Sequence, residues 1–147
     1  MGEICIEVVE RASAKLVAEL AALIPQPSAS GVMPDLEALS EIVRSPATTL
    51  MVAREADGSA LGMLTLVTFQ VPTGVRAIIE DVVVDIRNRR SGVGTALARY
   101  GMALARKKGA RTIDLTSRPS RKDANRLYQR LGFERRQTNV YRLTISH

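Results

Sequence analysis

The most informative feature of this sequence is a junction between an apolar strand and a helix near the middle of the chain. Residues 82–84 are three valines, a turn with three arginines follows, and Gly92 and Gly94 then open a helical pattern. The first N–H groups of a helix are unpaired, and the helix dipole favours an anion beside them. Glycine lets a ligand approach the backbone closely, and Arg89 and Arg90 add charge pairing. The junction therefore predicts a cradle for a diphosphate.

Two common nucleotide-binding loops match this junction poorly. A P-loop requires lysine directly after its second glycine, where this chain has Thr95. A Rossmann fingerprint requires a third small residue, where this chain has Leu97. In a Rossmann fold the glycines also follow the strand directly. Here residues 85–91 intervene, and a predicted three-strand meander precedes the loop. Asp114, twenty residues beyond Gly94, still leaves the Rossmann fold as an alternative.

The net charge of +6 is unevenly distributed along the chain. Residues 1–85 hold five Lys and Arg against twelve Asp and Glu, a net charge of −7. Residues 86–147 hold sixteen against three, a net charge of +13. Such asymmetry indicates a polyanionic partner for the C-terminal half, either nucleic acid or a phosphate-rich cofactor. A solvated basic surface without a partner gives the same pattern.

The scarcity of cysteine and histidine excludes several kinds of site. Cys5 is the only cysteine and His147 the only histidine, so an internal disulfide, a cysteine metal cluster and histidine-based catalysis are excluded. We expect Cys5 to be a small buried apolar side chain, and we expect no metal. No apolar run is long enough to span a membrane, and the N-terminus does not resemble a signal peptide. A cytoplasmic protein is the resulting prediction.

The spacing of apolar residues predicts one mixed α/β domain over residues 1–147, with the order β-α-α-β-β-β-α-β-α-β-β. Helices are predicted at residues 11–24, 34–45, 92–108 and 120–131. Strands are predicted at residues 4–9, 49–54, 61–71, 75–85, 111–116, 132–135 and 140–145. In the third helix, an apolar face is predicted for Val93, Ala96, Leu97, Tyr100 and Leu104.

Two segments resemble the signature motifs of one enzyme family. Residues 89–94, Arg-Arg-Ser-Gly-Val-Gly, resemble the Q/R-x-x-G-x-G/A signature of the GNAT acetyltransferases. Residues 124–133, Ala-Asn-Arg-Leu-Tyr-Gln-Arg-Leu-Gly-Phe, resemble the family element A-x-x-L/F-Y-x-x-x-G-F. Two linked motifs are more specific than one, and the resemblance covers essentially the whole chain. It implies the GNAT fold, a mixed and mostly antiparallel sheet of six to seven strands flanked by four helices.

The resemblance also implies acetyl-CoA as cosubstrate and places its binding site. In the family the signature loop binds the pyrophosphate, and the preceding strand pairs through its backbone with the pantetheine arm. The implied cofactor-binding residues are Val82, Val83, Val84, Arg89, Arg90, Ser91, Gly92, Val93, Gly94, Thr95, Arg121 and Asn125. For the valine side chains we predict a place in the core.

Tyr128 matches the tyrosine that protonates the leaving thiolate in many family members. At 100° per residue, Arg121, Asn125 and Tyr128 fall on one face of the predicted helix, beside an apolar stripe. That position suits a half-buried hydroxyl at a groove, although a purely structural tyrosine is the alternative. Arg121 stands where many relatives have asparagine, and it either contacts a CoA phosphate or is solvated. Asn125 either lines the groove or caps local backbone.

Glu80 is the candidate general base, because family members often use a glutamate on the strand before the signature loop. Alternation predicts that Glu80, Val82 and Val84 share one face and that Asp81 points to the other. Pairing of Glu80 with an arginine is the alternative. The resemblance implies direct acetyl transfer to a primary amine of an unidentified small molecule or peptide, and the acidic N-terminal half favours a cationic acceptor. Residues 79–85 also resemble a strand of glucosamine-phosphate N-acetyltransferases, a local likeness that identifies no acceptor.

Two other functions are left open by the sequence. One is a regulator that binds acetyl-CoA without catalysis. The other is a basic nucleic-acid-binding domain, which the five aromatic residues and the lack of zinc-finger spacing disfavour. No membrane partner is expected. A homodimer, through pairing of residues 139–145 across a two-fold axis, is also left open.

Overall fold

A computed structural model describes residues 2–24, 34–88 and 91–147 of this protein. The described strands are β1 (Cys5–Val8), β2 (Thr48–Arg54), β3 (Ala60–Val71), β4 (Gly74–Val84) and β5 (Thr112–Asp114). The helices are α1 (Ala14–Leu23), α2 (Leu36–Arg44), α3 (Val93–Lys107) and α4 (Lys122–Arg130), and a 3₁₀ turn spans Ile86–Asn88. The chain divides into two compact units, Met1–Thr116 and Ser117–His147.

The first unit contains a mixed sheet in the order β1-β2-β3-β4-β5. The three pairings from β1 to β4 are antiparallel, whereas β4 and β5 run parallel. The parallel ladder covers only three residue pairs, from Arg76 opposite Thr112 to Ile78 opposite Asp114. The mixed and mostly antiparallel sheet agrees with the sequence prediction.

Local side-chain chemistry fixes the starts of the first two helices. The Ser13 hydroxyl accepts a hydrogen bond from the Leu16 amide at 3.1 Å, and the Asp35 carboxylate accepts one from the Ala38 amide at 2.8 Å. Both residues lie at the N-cap, where a side-chain acceptor satisfies an otherwise unpaired amide. The expected start of the second helix at Pro34 and Asp35 is therefore confirmed.

Apolar side chains cover the sheet of the first unit on both faces. One cluster joins the two N-terminal helices to the sheet, and its members are Val9, Leu16, Leu20, Leu23, Leu39, Leu50, Val52 and Met63. The other cluster lies beneath α3, which buries Val93, Leu97, Ala98, Gly101 and Ala105. Gly101 lies against Leu64 and Met51 of the sheet. This packing holds the start of α3 beside the end of β4.

Two predictions for individual side chains are wrong. Cys5 is exposed, because it lies on the edge strand β1 with its side chain directed away from the apolar cluster. Tyr100 is 41% exposed and does not belong to the apolar face of α3. The buried stripe runs instead through Ala98 and Gly101.

In the second unit the chain forms α4 and no strand. The strands predicted at residues 132–135 and 140–145 are therefore wrong, and the described sheet has five strands rather than six or seven. The alternation of apolar residues in the last segment is real, but a strand also requires a neighbour to pair its backbone groups. The described chain supplies none for this segment, although the mixed and mostly antiparallel sheet predicted for the other strands is present.

An ion-pair network ties α1 to β2. The Arg54 guanidinium donates to both carboxylate oxygens of Glu19, at 2.6 and 3.0 Å, and to the Glu7 carboxylate at 3.3 Å. The bond from Arg54 lowers the pKa of Glu19 below its ordinary value. The Arg54 and Glu19 side chains are 18% and 17% exposed, whereas Glu7 is 50% exposed. The pair with Glu19 is therefore the better shielded one.

Replacing Glu19 with glutamine is expected to lower the free energy of unfolding at pH 7 by about 1 kcal/mol, because a charge-assisted bond is lost. Since the folded-state pKa is depressed, the contribution of Glu19 is present above its ordinary pKa and is lost as the pH falls through the folded value. Denaturant unfolding from neutral to acidic pH should show the two proteins converging in acid. Glu7→Gln is the control and should cost less; equal costs for the two variants would contradict this account.

No helix in the described ranges is long and apolar enough to cross a membrane. Nor do those ranges contain three or more His, Cys, Asp or Glu side chains grouped to hold a metal ion.

Candidate functional site

At the N-terminus of α3, several backbone amides have no acceptor among the residues that the structure describes. The first intrahelical bond runs from the Ala96 amide to the Gly92 carbonyl at 3.0 Å, so the amides of Val93, Gly94 and Thr95 have no helical acceptor. No side chain caps this end, and its first turn carries no acidic residue. Gly92 has φ +89°, a conformation that favours glycine, and open space surrounds the position of its missing Cβ. These features suit an anion.

The turn before α3 is held by its own side chains. The Asp85 amide donates to the Leu61 carbonyl at 2.8 Å, which anchors the turn to β3. The Asp85 carboxylate accepts from the Arg87 amide at 3.0 Å and from the Arg87 guanidinium at 2.9 Å. These bonds from Arg87 lower the pKa of Asp85. The Ser91 hydroxyl donates to the Asn88 carbonyl. The sequence predicts that Arg89 and Arg90 bind the anion, but both residues lie outside the described part of the chain.

A β-bulge interrupts β4 just before the turn. Glu80 lies opposite Thr65 of β3 and Val83 lies opposite Met63, so two residues of β4 face one residue of β3. Within the bulge Asp81 has φ +48°, in the left-handed region that non-glycine residues rarely occupy. The prediction that Glu80 shares a face with Val82 and Val84 is wrong, because the extra residue reverses the alternation. Glu80 shares its face with Val83 instead.

Beyond the bulge, one edge of β4 pairs with no strand of the described residues, and we call it the open edge. Its ladder with β5 ends at Ile78, whereas its ladder with β3 continues to Val84. The carbonyl of Val83 is directed towards β3, and the amide of Asp85 is bonded to β3. Since successive residues of a strand direct their backbone groups to opposite edges, Val84 directs its own to the open edge. An extended ligand with amide groups can pair there. The Val83 side chain packs against the apolar cluster, which supports the core role expected for it.

In the second unit, Tyr128 is the buried residue of α4, at 8% exposure. Burial raises the pKa of the Tyr128 hydroxyl, and the positive charge of Arg121 partly opposes this rise. The phenol is therefore protonated at neutral pH. Its ring meets that of Phe133 edge to face, with centroids 5.8 Å apart and an interplanar angle of 69°. This contact fixes the ring of Tyr128 in one orientation.

The second sequence motif is explained by the way α4 ends. Gly132 has φ +102°, its amide donates to the Gln129 carbonyl at 3.1 Å, and the Phe133 amide donates to the Tyr128 carbonyl at 3.0 Å. This is a Schellman motif, which requires glycine at its left-handed position and commonly brings two apolar side chains into contact. Here those side chains are Phe133 and Tyr128. The spacing Y-x-x-x-G-F thus positions the tyrosine.

The Asn125 side chain is hydrogen-bonded to the backbone just before α4. Its amide nitrogen donates to the Arg118 carbonyl at 2.9 Å and to the Arg121 carbonyl at 2.7 Å. Both amide hydrogens are thereby engaged, as the alternative of a local cap predicts. Arg121 lies at the N-cap of α4 with an exposed side chain that makes no cap hydrogen bond.

A basic groove in the second unit was missed by the sequence analysis. It has a volume of about 320 Å³ and is lined by Ser117, Pro119, Lys122, Asn125, Arg126, Gln129 and Arg135. The Ser117 hydroxyl is buried and has no hydrogen-bond partner among the described residues. The spacing of residues 122, 125, 126 and 129 marks one face of a helix, which was a usable signal. The predicted phosphate contact, Arg121, does not line this groove.

The candidate residues thus fall into two sets. The first unit holds Glu80, the open edge at Val84 and the free amides at the start of α3. The second unit holds Arg121, Asn125 and Tyr128.

The sequence profile of the acetyltransferase (GNAT) family matches residues 17–133. The chain belongs to the GNAT acetyltransferase family. No curated protein matches it in sequence. The matched residues include the bulged strand, the start of α3 and Tyr128, so the profile spans both sets of candidate residues.

Several solved structures share the fold of this GNAT protein. An acetyltransferase of Trypanosoma brucei is 26% identical, with 97% of this chain and 100% of that chain covered and a TM-score of 0.74. AAC(6')-Iy, in complex with the bisubstrate analog CoA-S-monomethyl-acetylneamine, is 21% identical, with coverage of 97% and 99% and a TM-score of 0.75. Glucosamine-6-phosphate N-acetyltransferase of Arabidopsis thaliana is 19% identical, with coverage of 96% and 98% and a TM-score of 0.74.

Proposed function

We propose that this protein is an acetyl-CoA-dependent N-acetyltransferase that transfers the acetyl group directly to a primary amine of a small molecule or peptide. The observation that carries the proposal is the bulged strand β4, whose open edge is followed, after the turn at residues 85–92, by the uncapped N-terminus of α3. One extended ligand with amides at one end and a diphosphate at the other fits this pair of features. Acetyl-CoA is such a ligand, because its pantetheine arm carries amide groups and its nucleotide end carries a diphosphate.

The residues of the first unit fit the cofactor's polar groups. The free amides of Val93, Gly94 and Thr95 would hold the pyrophosphate, with Arg89 and Arg90 as the proposed counter-charges. The backbone of Val84 would pair with the pantetheine arm, as an added strand pairs with a sheet edge. When bound, acetyl-CoA supplies the acetyl group as a thioester.

Tyr128 is the proposed general acid. Its hydroxyl is protonated at neutral pH because burial raises its pKa, and its ring is fixed by Phe133. A positioned phenol of this kind can donate a proton to the departing thiolate. The contact and the burial together support a catalytic role, since both keep one protonated hydroxyl in one place.

Glu80 is the proposed general base. The amine must be neutral to attack, so a group that accepts its proton is required. Glu80 is exposed at the bulge and makes no ion pair among the described residues, which leaves its carboxylate available. The predicted alternative, a pair with arginine, has no support in these residues.

The proposed acceptor is a cationic amine. The first 85 residues carry a net charge of −7, which favours positively charged acceptors. Structures that share the fold include enzymes named for aminoglycosides and for glucosamine 6-phosphate. Aminoglycosides and amino sugars both carry primary amines, so these classes belong in the first substrate screen. The proposed location is the cytoplasm, whose reducing conditions suit a chain with a single cysteine.

Release of the CoA thiol, measured over a panel of aminoglycosides, amino sugars, polyamines and basic peptides, tests the proposal. At least one amine should accelerate thiol release, and Glu80→Gln should lower kcat for it by about a hundredfold. Asp81→Asn is the matched control, since asparagine tolerates the left-handed backbone and the change removes an adjacent carboxylate. Acetyl-CoA binding without amine-dependent thiol release would instead indicate a regulator.

A further inference from the structure

The basic groove of the second unit has no part in the proposed reaction. Its volume of about 320 Å³ lies at the lower end of the range of pockets that hold small molecules, roughly 300 to 1,000 Å³. Every residue that lines the groove belongs to the unit that begins at Ser117. A groove of this size can therefore hold a ligand with the side chains of that unit.

The groove is positively charged. Lys122, Arg126 and Arg135 line it with exposed side chains, whereas no acidic residue of the described chain does. Lys122 and Arg135 make no ion pair among the residues that the structure describes. Arg126 lies 3.9 Å from a carboxylate oxygen of Asp123, and this ion pair is weak because the two side chains are 74% and 66% exposed. The three cations are therefore available to an anion.

Two neutral side chains add hydrogen-bond donors to the groove. The hydroxyl of Ser117 is buried without a partner in the described part of the chain, which is uncommon in native structures. A turn to another staggered rotamer can bring this hydroxyl to a ligand. The exposed side-chain amide of Gln129 lines the same groove and can also donate. Guanidinium, ammonium, hydroxyl and amide donors together suit the oxygens of a phosphate group.

The rest of the groove suits an organic body attached to the phosphate. The ring of Pro119 lines it, and the aliphatic parts of Lys122 and of the arginines add apolar surface. Asn125 uses both of its amide hydrogens on the carbonyls of Arg118 and Arg121, so its oxygen is left to accept a hydroxyl of the ligand. A phosphate on a small carbon skeleton with hydroxyl groups, as in a sugar phosphate, matches these surfaces.

The groove lies on a different face of α4 from the proposed general acid. At about 100° per residue, Lys122, Arg126 and Gln129 are centred roughly 130° around the helix from Tyr128. Arg121, the phosphate contact predicted for the cofactor, does not line the groove. A ligand of the groove is therefore held on another face of α4 from the one that carries the Tyr128 hydroxyl.

We propose that this groove is a binding site for a phosphate monoester carried on a small organic molecule other than acetyl-CoA. Lys122, Arg126 and Arg135 bind the phosphate dianion through charge-assisted hydrogen bonds. Binding at this site does not require acetyl transfer, so the protein takes up the phosphorylated molecule with or without acetyl-CoA.

Nuclear magnetic resonance of the isotope-labelled full chain, titrated with glucose 6-phosphate, tests the proposal. This probe carries a phosphate monoester and no amine, so it cannot be an acetyl acceptor. Saturable shifts are expected at the amides of residues 122–135, with a Kd in the millimolar range or tighter. Glucose, which lacks the phosphate, should cause none. Shifts confined to residues 93–95, or no saturation, would overturn the proposal, because the phosphate would then bind only at the start of α3 or at no defined site.

Arg126→Gln and Arg130→Gln are a matched pair, because both remove an exposed arginine of α4 and only Arg126 lines the groove. Arg126→Gln should weaken the binding of glucose 6-phosphate at least about tenfold, whereas Arg130→Gln should change it less than about threefold. Equal weakening would mean that net charge alone attracts the probe, and would contradict the proposed site. Circular dichroism should show both variants folded, since both side chains are exposed.

Repeating the titration with saturating CoA, and separately with dephospho-CoA, identifies the source of the phosphate. Dephospho-CoA lacks the 3′-phosphate monoester of CoA. Neither is expected to displace glucose 6-phosphate from residues 122–135. Displacement by CoA would assign the groove to the cofactor site and overturn the proposal, and a lack of displacement by dephospho-CoA would then identify the 3′-phosphate as the group bound. Glucose 6-phosphate shifts in the groove of a protein that does not bind CoA would contradict the proposed function and leave this site supported.

Discussion

Replacing Tyr128 with phenylalanine is expected to lower kcat at least about a hundredfold while leaving acetyl-CoA affinity unchanged, the range found when a positioned general acid is removed. The ring of Tyr128 is held against Phe133 by packing, and phenylalanine preserves that contact. Only the hydroxyl is lost, so the thiolate must leave without a proton donor. Steady-state thiol release and calorimetric titration with acetyl-CoA measure the two quantities separately.

Tyr100→Phe is the matched control, because Tyr100 lies on α3, is 41% exposed and has no proposed role. Its kcat should equal that of the wild-type protein. Unchanged turnover in Tyr128→Phe would show that Tyr128 is not the general acid.

Since burial raises the pKa of Tyr128, the activity of the wild-type protein should be lost on the alkaline side only above the ordinary tyrosine range. Alkaline loss at or below that range would contradict the proposed environment.

Replacing Gly62 with alanine is expected to lower the free energy of unfolding by about 1–3 kcal/mol, the usual cost of overpacking a core. A Cβ at this position would lie 2.7 Å from the Val83 carbonyl oxygen, 3.1 Å from Val93 and 3.3 Å from Leu97. The carbonyl belongs to the backbone and cannot rotate away, so β4 must shift from β3, and the α3 side chains Val93 and Leu97 must also give way. β4 and α3 are the two elements that form the proposed cofactor site.

Gly101→Ala provides the comparison within the same unit. Its Cβ would lie 3.4 Å from the nearest atom, a flexible side-chain carbon of Leu64, and alanine favours a helix more than glycine does. This variant should be as stable as the wild-type protein or more so. Chemical denaturation of the two variants checks both expectations, and equal stabilities for Gly62→Ala and Gly101→Ala would show that β4 and α3 do not pack tightly against Gly62.

Much of the fold could be predicted because its signals are local. The N-caps Ser13 and Asp35 and the two glycines at the start of α3 are local features of the sequence, and the structure places helix starts beside them. The strands from β2 to β4 follow from alternation and from the turn residues between them. Local signals of this kind do not depend on distant parts of the chain.

The bulge in β4 could not be predicted from the pattern of side chains. The run of valines after Asp81 is apolar on both faces, so one extra residue leaves no mark in the alternation. The bulge becomes visible only through pairing with β3, a contact between distant residues. The bulge determines on which face of β4 the Glu80 side chain lies, and alternation alone therefore predicted the wrong face.

The absence of the two predicted C-terminal strands could not be foreseen, for a different reason. The sequence of residues 140–145 specifies an extended, one-sided strand, but a strand exists only where another backbone pairs with it. The alternation of side chains shows that a segment can form a strand, but it does not show whether another strand lies beside it. The role of Asn125 could not be decided from the sequence for a similar reason. Its hydrogen bonds to the carbonyls of Arg118 and Arg121 depend on the path of the loop before α4.

Calorimetric titration of the full chain with acetyl-CoA, with NAD and ATP at equal ionic strength as controls, tests whether β4 and the start of α3 bind acetyl-CoA. The free amides at the start of α3 would attract any diphosphate, whereas the open edge of β4 adds a requirement for the pantetheine arm. We predict stoichiometric, micromolar binding of acetyl-CoA and much weaker binding of NAD and ATP. No binding of acetyl-CoA, or equal heats from all three ligands, would mean that the junction is a general anion site and would contradict the proposed function.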